Sequence, residues 1–141
     1  MFRIALLASA ILGLPAMAMA DRIPLQADLT GKSEVPANAT AGSGEVKATL
    51  DTDSKELTWA VTYQGLTGTA TGGHFHGPAA PGANAPVASG WGTALANPVT
   101  GKAKLTDAQI KDLLDGKWYA NIHTQANPGG EIRGQVMRAK P

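Results

Sequence analysis

The chain has 141 residues, no cysteine, 43% hydrophobic residues and a formal charge of +1, which excludes both a disulfide-stapled scaffold and a disordered chain. The small net charge, with no Lys/Arg cluster, excludes nucleic acid and anionic lipid as electrostatic partners. Gly (17) and Pro (9) are abundant and aromatics few, the composition of a turn-rich globular domain held by its core or by a metal.

Met1 to Ala20 carries a basic Arg3, an apolar run from Ile4 to Leu14 and a small-residue end, Ala18-Met19-Ala20. This is the pattern of a secretory signal peptide, with cleavage expected after Ala20. The run is shorter than the roughly 20 residues a membrane span needs. One exported domain is therefore expected over residues 21–141, periplasmic or secreted, with no membrane association after the signal is removed, as a monomer or weak homo-oligomer.

Strands open that domain. Leu25, Ala27 and Leu29 alternate with Gln26 and Asp28; Val46, Ala48 and Leu50 alternate with Glu45, Lys47, Thr49 and Asp51. Asp51 to Ser54 makes a polar turn, after which Leu57, Trp59, Val61 and Tyr63 share one face. These last two runs read as a β-hairpin. Lys32 to Gly44 reads as a connector without helix.

Gly73-His74-Phe75-His76-Gly77 follows, holding two of the three histidines. Residues i and i+2 of a strand project from one face, so His74 and His76 stand side by side while Phe75 enters the core. Imidazole is a common ligand for copper, zinc, nickel and iron. Alone, a His-x-His pair reads more readily as surface histidines in a Gly-rich turn. The third histidine, His123, lies in an equally distinctive stretch, and the set of three points to a metal. Gly77 to Pro86 is too rich in Pro and Gly for a ladder, and reads either as a border to the histidine face or as a passive connection.

Thr106 to Leu114 is the one expected helix: Thr106 and Gln109 form a capping box, Ile110, Leu113 and Leu114 an apolar face, and Gly116 the stop. It is too short to stand alone and must dock on the sheet. In the closing hairpin Trp118, Ala120, Ile122 and Thr124 share one face, and Tyr119, Asn121 and His123 the other. Pairing Gln125 with Glu131 sets Thr124 against Ile132, His123 against Arg133 and Tyr119 against Met137, and keeps the apolar residues of both strands together. Arg133, Asn121 and Glu131 are then the polar residues available to orient the His123 ring, although for Glu131 a turn role is the simpler expectation. Met137 falls about 13 Å along the strand from His123 and is not expected to bind metal.

His74-Phe75-His76-Gly77-Pro78, the Leu105-Thr106 helix start with Gln109, and the ending from Tyr119 to Gln135 together resemble the CHRD domain, a module named for chordin and common in bacterial secreted proteins. The resemblance extends from about Leu25 to Met137 and implies a β-sandwich whose biochemical role is poorly defined. The fold class expected is all-β, a mainly antiparallel β-sandwich of superoxide dismutase-like or Greek-key form, with one short α-helix near residues 106–115. A His-x-His strand in a small exported β domain also resembles the copper site of Cu/Zn superoxide dismutase. Three histidines and no cysteine exclude that enzyme's two-metal site and its disulfide, and blue copper too.

No nucleophile elbow, phosphate loop or catalytic cysteine is present in the sequence. The expected function is an exported metal-binding protein with His74, His76 and His123 as ligands, for copper storage, transfer or protection. Copper is the metal expected, with zinc the alternative. Other readings are a copper-dependent redox enzyme using an open fourth position, and a β-sandwich adhesion module without metal.

Overall fold

A computed structural model describes residues 21–140. The expected signal segment, residues 1–20, lies outside them. Nine strands and one short helix make a mainly antiparallel sandwich that closes nearly into a barrel: β1 (Arg22–Thr30), β2 (Ser43–Asp51), β3 (Glu56–Gln64), β4 (Ala70–His76), β5 (Val87–Gly90), β6 (Val99–Lys104), α1 (Asp107–Leu114), β7 (Tyr119–Thr124), β8 (Ile132–Gln135) and β9 (Met137–Arg138). The strand order is β5-β4-β7-β8-β1-β2-β3-β6, and β9 continues the edge pairing along β1.

Alternation in the sequence determines the first half. Leu25, Ala27 and Leu29 of β1 are buried, as are Val46, Ala48 and Leu50 of β2 and Leu57, Trp59 and Val61 of β3. In the β2–β3 hairpin Val46 opposes Val61, Ala48 opposes Trp59 and Leu50 opposes Leu57, so like faces meet. The Asp51 carboxylate accepts from the Ser54 amide and hydroxyl and closes the turn.

The two ends of the sheet face each other across one core. Phe75 of β4 is fully buried, and its ring lies edge-on to Trp59 of β3 and to Trp91, with centroids 5.3 Å apart in each case. Gly73, two residues before, faces the same core with the Trp91 ring packed directly on its α-carbon, a place no side chain could occupy. Helix α1 has the expected capping box, in which Thr106 Oγ1 accepts from the Gln109 amide and the Gln109 side chain accepts from the Thr106 amide. Leu113 is its buried anchor, and Gly116 ends it at φ 71°.

Three details differ from the sequence reading. A short 3-10 turn, Gly31–Ser33, occupies the start of the connector expected to lack helix. Strands β5 and β6 are additional to the strands read from the sequence; β5 is a four-residue run of mostly small residues, and β6 alternates Val99, Gly101 and Ala103 with Thr100, Lys102 and Lys104 but with small inward residues, Gly101 lying under the Trp59 ring. The closing hairpin is shifted by two residues: Asn121, not His123, opposes Arg133, and Tyr119 opposes Gln135, not Met137. The cause lies in the turn, which is wider than a tight hairpin. Asn127 exchanges backbone hydrogen bonds with Thr124, and the Glu131 amide bonds to the Ile122 carbonyl. An even shift preserves the faces, so Ala120, Ile122 and Ile132 still enter the core.

Candidate metal centre

Strands β4 and β7 are neighbours, and their register assembles the site. His74 opposes Asn121, His76 opposes Tyr119, and His123 opposes Gly72. Gly72 leaves open the space above it that the His74 and His123 rings share. One ring nitrogen from each of His74, His76 and His123 lies within 4.8 Å of the other two, and all three residues are partly buried. The closest pair is His74 Nδ1 and His123 Nε2, 3.1 Å apart. Three ligands about 2 Å from one ion stand roughly 3 to 4 Å apart, and the His76 and His123 rings each make one further contact.

Those contacts also decide which nitrogens are free. His76 Nδ1 faces the Ala85 carbonyl at 3.0 Å, and His123 Nδ1 faces the Pro128 carbonyl at 2.9 Å. A carbonyl only accepts, so each Nδ1 carries the proton and each Nε2 presents its lone pair. His76 Nε2 is buried and has no hydrogen-bond partner among the described residues. A buried imidazole nitrogen left without a partner calls for an explanation, and an electrophile coordinated there supplies one. As hydrogen-bonded here, His123 Nε2 accepts from His74 Nδ1–H, so a metal held by His74 Nδ1, His76 Nε2 and His123 Nε2 would replace that proton.

Burial lowers the pKa of His74 below its usual value, and the neighbouring His123 and His76 add to the effect. His76 is lowered as well, chiefly by burial, against the bond to the Ala85 carbonyl and with help from His123 and Arg133. Both rings are thus kept neutral, the form that binds metal.

Beyond the histidines, an outer layer covers this face of β4, β7 and β8. Tyr119 lies parallel to His76, with ring centroids 4.8 Å apart and planes 3° apart. Its hydroxyl accepts from the Ala85 amide at 3.2 Å. Arg133 is buried, with its guanidinium carbon 3.4 Å from the centre of the Tyr119 ring, and it donates to Asn84 Oδ1 at 2.8 Å and to the Ala83 carbonyl. Gln135 donates to the Ala79 carbonyl at 2.9 Å. The loop from Gly77 to Pro86 is therefore pinned along the histidine face and borders the site.

The three residues expected to orient His123 are placed differently. Asn121 is buried and donates to the Glu34 carboxylate and the Ile132 carbonyl, not to an imidazole. Arg133 reaches the site through Tyr119 beside His76. Glu131 is completely buried on the side of β7 away from His123, accepting from Thr40 Oγ1, Thr124 Oγ1 and both the amide and the hydroxyl of Thr67. Its burial alone would raise its pKa, but those hydrogen bonds outweigh that and lower it to about 2. The group that orients His123 is the backbone carbonyl of Pro128.

Tyr119, Glu34 and Ala85 were not singled out from the sequence as site residues. Tyr119 becomes one through the long-range pairing of β4 with β7, which leaves no local signal. Glu34 is a single acid in a connector, yet it is buried beside Asn121 and against Gly130, whose φ of 131° and lack of a side chain permit the approach.

The CHRD domain family model matches residues 25–136. No curated protein and no solved structure matches the chain. Among the described residues, no helix is long and apolar enough to cross a membrane.

Proposed function

The chain belongs to the CHRD domain family, and from that premise we propose that it is an exported copper-binding protein whose ligands are His74 Nδ1, His76 Nε2 and His123 Nε2, serving copper storage or transfer. The observation that carries the reading is the convergence of three half-buried imidazoles, one with a buried nitrogen that no other group satisfies. An all-imidazole donor set suits copper and zinc, and copper stands above zinc in divalent affinity. Arg133 is enclosed beneath the 77–86 loop and does not line an open approach to the histidines, which favours holding a metal over guiding an anionic substrate to it. The signal-like first 20 residues support export, so the secreted protein should begin at Asp21.

The test is metal titration of the exported protein. One equivalent of Cu(II) should bind, and each of His74→Ala, His76→Ala and His123→Ala should weaken binding by about tenfold or more with the melting temperature nearly unchanged. Zinc should compete less well. Because the ligands must be neutral, copper should be released as pH falls through roughly 6 to 4. Affinity equal to wild type in all three variants would sink the proposal.

A further inference from the structure

We propose that Arg133, acting across Tyr119, makes this site selective for monovalent over divalent copper; the inference rests on the copper reading above. The geometry is a three-layer stack. Strand β7 lies between β4 and β8, so His76 and Arg133 meet the Tyr119 ring from opposite sides, His76 parallel to it at 4.8 Å and the guanidinium carbon 3.4 Å from its centre. Arg133 is only 3% exposed and Tyr119 3%, so solvent screens the charge weakly.

The three imidazole donors are neutral and bring no compensating charge. The acid that faces Arg133 is Glu34, and burial pushes its pKa up to about 7 despite Arg133, so at neutral pH it cancels only part of the guanidinium charge. Glu131 is ionised, but its oxygens are taken up by Thr40, Thr67 and Thr124 on the other side of β7. The environment is therefore net positive toward an incoming ion. Arginine does not deprotonate, so this bias is permanent. For charges on the order of 10 Å apart at an effective dielectric near 20, one unit of ionic charge changes a binding constant about tenfold. Divalent copper carries that extra unit, so its affinity is reduced more than that of monovalent copper.

The experiment compares the exported wild-type protein with Arg133→Met and Arg133→Lys. Cu(I) affinity is measured by chelator competition under anaerobic ascorbate, Cu(II) affinity by competition in air, and the one-electron potential by voltammetry. Loss of the charge in Arg133→Met should lower the ratio of Cu(I) to Cu(II) affinity about tenfold, equivalent to about 59 mV for a one-electron couple. Arg133→Lys should retain most of the wild-type ratio, which a purely structural role would not produce. An unchanged ratio in Arg133→Met overturns the inference while leaving the three-histidine site intact. If Arg133→Met does not fold, the wild type decides: a potential no higher than that of copper in aqueous imidazole overturns it equally. A wild type that binds neither ion defeats the copper reading itself.

Discussion

The two halves of the sheet use the same alternation for opposite ends. In β1, β2 and β3 the inward residues form the core, while the outward ones, such as Gln26, Lys47, Thr58 and Thr62, remain exposed to water. In β4, β7 and β8 the inward residues, Phe75, Ala120, Ile122 and Ile132, form the same core, but the outward row is Tyr119, Asn121 and Arg133, equally buried beneath loops. Burying polar groups costs free energy unless each finds a partner. On the second half nearly all do; among the described residues the buried side-chain nitrogens without a partner are Nε1 of Trp59 and of Trp91, which lie in the apolar core, and Nε2 of His76, which lies on the outer face. A covered polar layer that leaves one imidazole nitrogen unsatisfied reads as a site rather than as scaffold.

The largest effect that tests this comparison separates two adjacent residues. Phe75 and His76 differ by one position and point to opposite faces. Phe75→Ala should cost about 3–5 kcal/mol of stability, because a fully buried ring packed on Trp59 and Trp91 leaves a cavity. His76→Ala should cost much less, about 1 kcal/mol, since the loss of the Nδ1 bond to the Ala85 carbonyl and of the stack on Tyr119 is offset by removing a buried Nε2 that has no partner. Urea denaturation of both variants beside a copper titration decides the matter. A His76→Ala protein as unstable as Phe75→Ala would mean that the outer face is structural.

Next in size is Glu131, whose carboxylate ties two loops, through Thr40 and Thr67, to the end of β7 at Thr124. Glu131→Gln should lose about 2 kcal/mol at pH 7, as charge-assisted bonds become neutral and one amide face cannot accept. The pH dependence has a definite sign. The folded pKa, about 2, lies below the ordinary value of 4.5, so the contribution is present above pH 4.5 and is lost as pH falls from there toward 2. Denaturation curves at pH 7, 4 and 3 should show that acid loss in wild type and a flatter response in the variant. Equal slopes would remove Glu131 from the account.

The fold was legible wherever one face is wet. Leu25-Ala27-Leu29, Val46-Ala48-Leu50 and Leu57-Trp59-Val61 announce their strands because water forces polar residues between them. The Thr106 and Gln109 pair announces the helix by a local hydrogen-bond device. Strands β5 and β6 were silent because β5 is only four residues long and the inward positions of β6 include Gly101 and Ala103, small residues with Gly101 under the Trp59 ring, so their apolar signal is weak. The histidine triad was legible from residue type alone, since His74 and His76 are two apart and His123 is the only other one. Its surroundings were not. Which residue meets Arg133, and what orients His123, depend on Ile132 pairing with Ile122 rather than with Thr124 and on loops folding back from far along the chain. No local pattern encodes those.

The smallest effect concerns the second buried glutamate, and it sharpens the contrast because its environment is the reverse of that of Glu131. Glu34 receives hydrogen bonds from Asn121 and from the Val35 amide, and with the Arg133 charge these oppose its burial without overcoming it, so its pKa stands at about 7 against an ordinary value of 4.5. A folded pKa above the unfolded one means that the stabilising form is the protonated one: its contribution is complete below pH 4.5 and is lost as pH rises through about 7. Above that pH a buried carboxylate remains, only partly compensated. Glu34→Gln keeps an oxygen for the Asn121 amide and carries no charge at any pH, so it should match wild type near pH 5 and be more stable by on the order of 1 kcal/mol at pH 8. His74 and His76 have lowered pKa values and therefore contribute with the opposite sign. They are common to both proteins, so the difference between the two stability curves isolates Glu34. Curves that run parallel from pH 5 to pH 8 would show that Glu34 is ionised throughout and that Arg133 is fully paired, which would also remove the excess positive charge beside the histidines.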